Sequence, residues 1–338
     1  MKAWRIYEPN HLKFDEMDAQ PVGEGCVKLK MLRSAVSQMD VRLYTGKLKA
    51  EYPLILGRQG VGMVTEVGEG VTSYKRGDRV AVNPVTPCRS CSACVSGHPH
   101  ECTHTLTYGM TEDGFLRDFA VVPADDLIGL PDRISDTDAI FLEHIAMAIN
   151  TVGALDLEKG EHIVVYGATL VGLILAQAAI YYQAVPVLVD MRADRLSLAE
   201  SLGVYYTVNP VESDPFKKIF TITGGRMAET VAFMADCGMR PGQALNYVAA
   251  GGRVAFVGWK ELLDETDASI APVIANRLKV TGVSCSGRNM PSAVNMLANK
   301  AINVEKLVSK EVGIGQAGDI IAESAAYPDK YLKVPVKI

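Results

Sequence analysis

The sequence predicts an α/β protein built from a doubly wound parallel sheet and an irregular, β-barrel-like part. Three observations carry that expectation. The first 130 residues hold short alternating stretches broken by frequent Gly and Pro. From about Ile145, short apolar runs alternate with helix-length segments. From about Gly282 the texture is mixed again. A chain of 338 residues, 48% apolar and 22% charged, is long enough for two separate cores.

The elements follow in order. Met1-Lys2-Ala3-Trp4-Arg5-Ile6 alternates as a strand does and lacks an apolar signal core. Val27, Leu29 and Met31 alternate with polar neighbours, as in a half-buried strand. Gly46, Pro53, Gly57, Gly60, Gly62, Gly68, Gly70 and Gly77 then punctuate short strands, the last turn leading into Asp78-Arg79-Val80-Ala81-Val82. Ser135 or Asp136 caps a helix carrying Ile140, Phe141, Ile145 and Ile149. Beyond it, His162 to Tyr166 and Val185 to Val189 read as buried strands, and Leu170 to Tyr182 and Ala193 to Leu202 as helices. Tyr205 to Val208, Val231 to Ala235 and Arg253 to Val257 supply further strands. Strands alternating with helices indicate a parallel sheet covered on both faces.

Net charge is −5 and the pI about 5.8, with no basic stripe, so neither nucleic acid nor an anionic membrane is an expected partner. No run of about 18 apolar residues suits a transmembrane helix. A cytoplasmic protein is expected. Seven cysteines are present, four of them within residues 88–102. In a reducing compartment such a cluster points to metal rather than to disulfides.

Cys88, Cys91, Cys94 and Cys102 form C-x2-C-x2-C-x7-C. Tetrahedral zinc takes four thiolates, and short C-x2-C turns deliver them. Four thiolates close the coordination shell, so the predicted zinc is structural. A labile redox cluster is the competing reading. His98, His100 and His104 nearby read as loop polarity rather than as extra ligands.

Gly167-Ala168-Thr169-Leu170-Val171-Gly172 follows one predicted strand and opens a helix, the context a dinucleotide turn requires. Glycines permit close approach of backbone to pyrophosphate, and the helix N-terminus offers N–H groups and a positive dipole end. Asp190 ends the next strand, placed for an adenine ribose diol, and favours NAD(H) over NADP. Arg192 and Arg195 make the smaller case for NADP. Thr169 stands where the pattern has its second Gly; its Cβ crowds the pyrophosphate, and its hydroxyl offers a hydrogen bond instead. A doubly wound domain that binds no dinucleotide remains open.

Gly57-Arg58-Gln59-Gly60-Val61-Gly62, with Gly68 and Val71, keeps the glycine spacing of a G-H-E-x-x-G signature. With the cysteine lobe, the Gly167–Gly172 turn, Asp190, Asp236-Cys237-Gly238 and Gly251-Gly252-Arg253-Val254, the whole chain resembles the medium-chain dehydrogenase/reductase superfamily, in particular its zinc-containing alcohol and polyol dehydrogenases. The resemblance implies a catalytic domain from residues 1–144 and 283–338 and a Rossmann domain from 145–282. It also implies a homo-oligomer, dimer or tetramer.

The departures from that family fall on its catalytic metal site. In Ser37-Gln38-Met39-Asp40-Val41-Arg42, Ser37 replaces the first ligand, a Cys, while Met39 and Arg42 replace the proton relay and Asp40 is kept. Arg58 replaces the ligating His and Gln59 the neighbouring Glu. Glu143 matches the acidic position that the polyol branch retains near its metal. Hydroxyl, guanidinium and carboxamide cannot stand in for thiolate, imidazole and carboxylate around zinc, so no catalytic zinc is expected. A site rebuilt on Glu143 and His144 is the exception considered.

A Lewis acid in this position stabilises a developing alkoxide. Arg58 offers a fixed charge in its place, or an anchor for an anionic substrate group, with Arg42 assisting. Equally, Arg58 fills the emptied position as a structural partner of Glu143 or Asp40. His144 and Tyr44 are the candidate proton donors, with packing beside a helix the other reading of His144. Three function classes follow. The first is an NAD(H)-dependent oxidoreductase acting without metal on a small carbonyl or polyol, or on a conjugated alkene or iminium. The second is a non-catalytic NAD-binding sensor or assembly protein. The third is a scaffold that keeps only the fold.

Overall fold

The computed structural model describes residues 1–258, 269–284 and 287–338. The chain forms two compact units. One comprises Met1–Glu143, Ser286–Ala298 and Leu307–Ile338, the other His144–Cys285 and Asn299–Lys306.

The first unit begins with β1 (Lys2–Glu8), β2 (His11–Glu16), β3 (Cys26–Val36), α1 (Gln38–Tyr44), β4 (Leu54–Ile55), β5 (Gly60–Val67) and β6 (Arg79–Val82). It continues with β7 (Val85–Thr86), α2 (Ser92–Val95), β8 (Leu106–Thr107), β9 (Phe119–Pro123), β10 (Leu127–Gly129) and α3 (Asp136–Ala139). β3 is the spine, pairing antiparallel with β5 and β9. Its Val27, Leu29 and Met31 are fully buried, which satisfies the alternation read from the sequence. They pack with Val64, Val80, Phe115 and Val122 in one core. β7 and β8 pair at the base of the cysteine lobe.

The helix expected after Ser135 is two helices. Ser135 caps α3, accepting from the Asp138 N–H, and Phe141 N donates back to Asp138 O, a tightened turn that ends it. The chain restarts as α4 (Leu142–Ala154), with Glu143 in its first turn.

The second unit runs β11 (His162–Tyr166), α5 (Leu170–Tyr181), β12 (Val185–Val189), α6 (Ala193–Ser201), β13 (Tyr206–Val208) and α7 (Pro215–Ile222). There follow β14 (Ala228–Met234), α8 (Pro241–Ala244), β15 (Val248–Val257), α9 (Ala271–Ala275) and β16 (Lys279–Val283). The six strands form one parallel sheet in the order β13-β12-β11-β14-β15-β16. The order reverses between β11 and β14, the doubly wound arrangement with its switch point. The central strands are buried on both faces, hence their unbroken Val, Ile and Leu runs.

The chain then returns to the first unit as α10 (Met290–Ala298), β17 (Val312–Gly313), α11 (Ala317–Ala326) and β18 (Val334–Lys337). β18 pairs antiparallel with the end of β3, Val334 opposite Val36. That register sets Lys333 beside the junction where β3 passes through Ser37 into α1. No helix among the described residues is long and apolar enough to cross a membrane.

Candidate functional site

The stretch ahead of β5 is held by its glycines. Gly57 has φ +94°, and a Cβ there would lie 2.7 Å from the Leu116 backbone nitrogen. Only Gly fits that crossing without displacing main chain. The Gly57 N–H donates to Asp40 Oδ1 at 2.8 Å. Ser34 Oγ donates to the Gln59 carbonyl at 2.8 Å. The turn is thereby tied both to α1 and to β3.

Ser37 is consumed locally. It is the N-cap of α1 and forms a capping box with Asp40. Its hydroxyl and its N–H both donate to Asp40 Oδ2, at 2.6 and 2.7 Å. Asp40 therefore receives three donors, from Ser37 twice and from Gly57. Burial nonetheless raises its pKa above the ordinary carboxylate value, against the lowering effect of those hydrogen bonds.

Arg58 and Gln59 converge on Glu143. Arg58 Nε donates to Glu143 Oε1 at 2.6 Å, with the two side chains 3% and 4% exposed. Gln59 Nε2 donates to Glu143 Oε2 at 2.5 Å. The other end of the carboxamide, Oε1, accepts from Lys333 Nζ at 2.8 Å. Lys333 is 3% exposed. Desolvation draws its pKa down to about 8, while Glu143 and Asp40 oppose that shift and Arg58 adds to it. Of the two partners considered for Arg58, the ion pair formed is with Glu143. Both Glu143 oxygens accept N–H donors, and a guanidinium has no lone pair to give a metal.

The cysteine lobe fits zinc well. Four thiolates 2.3 Å from one metal, arranged tetrahedrally, lie about 3.8 Å apart. The observed Sγ separations are 4.0 Å for Cys88–Cys94, 3.5 Å for Cys91–Cys94, 3.8 Å for Cys91–Cys102 and 3.6 Å for Cys88–Cys102. The Cys91 and Cys88 N–H groups point at the sulfurs of Cys88 and Cys102, each at 3.3 Å, as suits anionic sulfur. Among the described residues this is the one group of three or more His, Cys, Asp or Glu side chains placed to hold a metal. His98 and His104 are exposed, and the His100 side chain lies outside the described residues.

In the second unit, Gly167 and Gly172 close the turn between β11 and α5. A Cβ on Gly172 would sit 2.0 Å from the Gly167 carbonyl oxygen, and one on Gly167 2.4 Å from Cys237 Cβ. Thr169 acts as the N-cap of α5, its Oγ accepting from Gly172 N at 3.3 Å. Leu170 and Val171 form the first turn, where helical N–H groups have no partner within the helix. Asp190 is buried; Oδ2 accepts from Ala168 N at 2.7 Å and Oδ1 from Arg192 N at 2.8 Å. Its carboxylate thus organises the turn itself. Arg192 pairs with Asp194, and Arg195 lies in the first turn of α6.

The structure brings together Ser37 with Asp40, and Arg58 with Gln59 and Glu143. Arg42 sits half-buried in the last turn of α1, and Tyr44 packs on the core of Leu43, Leu54 and Ile320. Sequence reasoning missed Lys333, which lies 274 residues from its partner Gln59. The available signal was a lysine opening the apolar strand Val334-Pro335-Val336.

Comparison with known proteins gives a consistent picture. Residues 23–132 match the alcohol dehydrogenase GroES-like domain and residues 171–299 the zinc-binding dehydrogenase family. An uncharacterized zinc-type alcohol dehydrogenase-like protein of Haemophilus influenzae is 31% identical over 99% of this chain and 98% of its own. L-threonine 3-dehydrogenase of Pyrococcus horikoshii is 31% identical over 72% of this chain and 71% of its own. Among solved structures, the rspB alcohol dehydrogenase of Escherichia coli in complex with NADH superposes with a TM-score of 0.90. It is 25% identical and covers 100% of this chain and 99% of its own.

Proposed function

Because the chain belongs to the medium-chain, zinc-containing alcohol dehydrogenase superfamily, we propose that it is an NAD(H)-dependent oxidoreductase that works without the family's catalytic zinc. Its substrate class is a small carbonyl or polyol, or a conjugated alkene or iminium. The expected catalytic domain, residues 1–144 and 283–338, corresponds to the first compact unit and the expected dinucleotide domain, 145–282, to the second, which also takes in Asn299–Lys306. One zinc, on Cys88, Cys91, Cys94 and Cys102, is structural.

One observation carries the reading: Glu143, which matches the acidic position that the polyol branch retains near its metal, is engaged at both oxygens by Arg58 and Gln59. Serine at 37 supports it, since its hydroxyl caps α1. When bound, NAD(H) supplies or accepts the hydride. Gly167 to Gly172 would hold its pyrophosphate, with Asp190 keeping Ala168 in place. Arg58 provides the fixed positive charge toward a developing oxyanion or a substrate anion, oriented by Glu143 and Gln59. In a weakly polar interior such a charge is worth far more than in water. Substrates that need less carbonyl polarisation than a simple ketone suit this arrangement. A cytoplasmic homo-oligomer is the assembly that the family suggests.

Burial favours a second reading, a non-catalytic NAD-binding protein. In it the Arg58–Glu143 pair is purely structural, as its low exposure allows.

Calorimetric titration with NAD and NADP, followed by a turnover panel of polyols, carbonyls, conjugated alkenes and iminium compounds, separates these readings. The oxidoreductase reading expects tighter binding of NAD and turnover within the panel. Tight NAD binding with no turnover supports the second reading, and failure to bind either dinucleotide removes both.

A further inference from the structure

We infer that Lys333 is a titrating positioning residue of this site: acting through the Gln59 carboxamide, its protonation state sets how tightly Glu143 holds the Arg58 guanidinium. The inference deepens the metal-independent reading and rests on it for its functional meaning.

The geometry is a series of three links. Lys333 Nζ donates to Gln59 Oε1, Gln59 Nε2 donates to Glu143 Oε2, and Arg58 Nε donates to Glu143 Oε1. The carboxamide lies with its oxygen on the cation and its N–H on the anion, the orientation that transmits polarisation from one to the other. All four side chains are buried, so screening by water is weak.

The position of Lys333 is fixed by topology. β18 pairs with β3 in the register Val334 to Val36, and the Lys333 carbonyl is held by Ser309 N at 2.9 Å. The charged groups around its ammonium are Glu143 at the start of α4, Asp40 in α1, and Arg58 ahead of β5. Two carboxylates favour the ammonium, while Arg58 and burial oppose it. Burial prevails and brings the pKa to about 8, so the proton is exchanged just above neutrality.

The consequence follows from charge sharing. With Lys333 protonated, the polarised Gln59 N–H takes a larger share of the Glu143 charge, and the field of Arg58 is less compensated. With Lys333 neutral, Glu143 is compensated mainly by Arg58, and the outward field of Arg58 falls. Gln59 is suited to this role where a glutamate is not, because a carboxylate at 59 would face that of Glu143.

The test is NMR of the full-length protein as a function of pH, reading the Arg58 Nε–H resonance and the Lys333 Cε resonance. Assignment comes from their loss in Arg58→Lys and Lys333→Met. The expected result is one common midpoint near pH 8, with the Arg58 signal insensitive to pH in Lys333→Met and in Lys333→Arg. In Gln59→Leu, Lys333 still titrates and Arg58 ceases to follow. Should Lys333→Met fail to fold, Lys333→Arg and Gln59→Leu carry the test. An Arg58 resonance that is flat across this range in the unaltered protein, or that moves equally in the variants, overturns the inference. A requirement for a second zinc would end the metal-independent reading without changing either NMR outcome, so the two failures are distinguishable.

Discussion

Arg58 Nε and Glu143 Oε1 meet at 2.6 Å, with both side chains almost fully buried. The guanidinium also lies one residue from Gln59, which binds the second oxygen of the same carboxylate. Two neighbouring side chains thus satisfy one buried acid.

Removing Arg58 takes from the buried Glu143 carboxylate its directly paired charge. Arg58→Met should therefore destabilise the first unit by about 3–5 kcal/mol. The double variant Arg58→Met, Glu143→Leu should recover much of that loss, because an apolar pair of similar volume needs no counter-charge. Urea unfolding of the single and double variants measures both quantities.

Lys333 predicts a pH dependence of stability with a definite sign. Its pKa in the folded protein, about 8, lies below the 10.5 of an ordinary lysine. Below pH 8 both states carry the proton, and the full cost of burying the ammonium is present. Between the two values the unfolded chain binds a proton that the folded chain does not, so stability rises with pH across that window and levels off above it. The swing is at most about 3 kcal/mol. The difference in unfolding free energy between the unaltered protein and Lys333→Met, followed from pH 7 to 10.5, should grow in favour of the unaltered protein.

Asp190 tests what holds the dinucleotide turn. Both its oxygens accept from backbone N–H groups, of Ala168 and Arg192. Asp190→Ala should loosen the turn and weaken NAD and NADP alike, by tenfold or more at about 1.4 kcal/mol per factor of ten. A substitution that weakened NAD while tightening NADP would instead mark Asp190 as a reader of ribose hydroxyls only. Titration calorimetry with both dinucleotides decides.

The cysteine lobe should behave as a local fold held by its metal. Cys91→Ser, or prolonged chelation, should release one zinc per chain and expose residues 88–102 to proteolysis. The parallel sheet of the second unit makes no use of these thiols, so NAD affinity should be retained.

Much of this was legible in the sequence, for physical reasons that can be named. Buried parallel strands such as Val185 to Val189 must be apolar on both faces, and they read as such. Metal lobes need close thiols, and C-x2-C turns show them. The glycines at 57, 167 and 172 mark places where backbone crosses too closely for a Cβ. Arg58 and Gln59 were visible as departures, but the choice between Glu143 and Asp40 as the partner of Arg58 was not, since it depends on where the distant helices α1 and α4 pack against the turn at Gly57. Lys333 escaped because its partner is supplied by the pairing of the last strand with β3, a long-range contact with no local pattern. The break between α3 and α4 escaped because both halves carry the same apolar periodicity.

The central claim is that the catalytic metal has been replaced by side chains, and counting zinc in the active protein tests it most directly. Elemental analysis of purified chain that turns over a panel substrate with NAD(H) should give one zinc per chain, lost on substitution of Cys91. Turnover should persist at that stoichiometry and show no gain on added zinc. Two zinc ions per chain, with activity rising and falling with the second, would contradict the account.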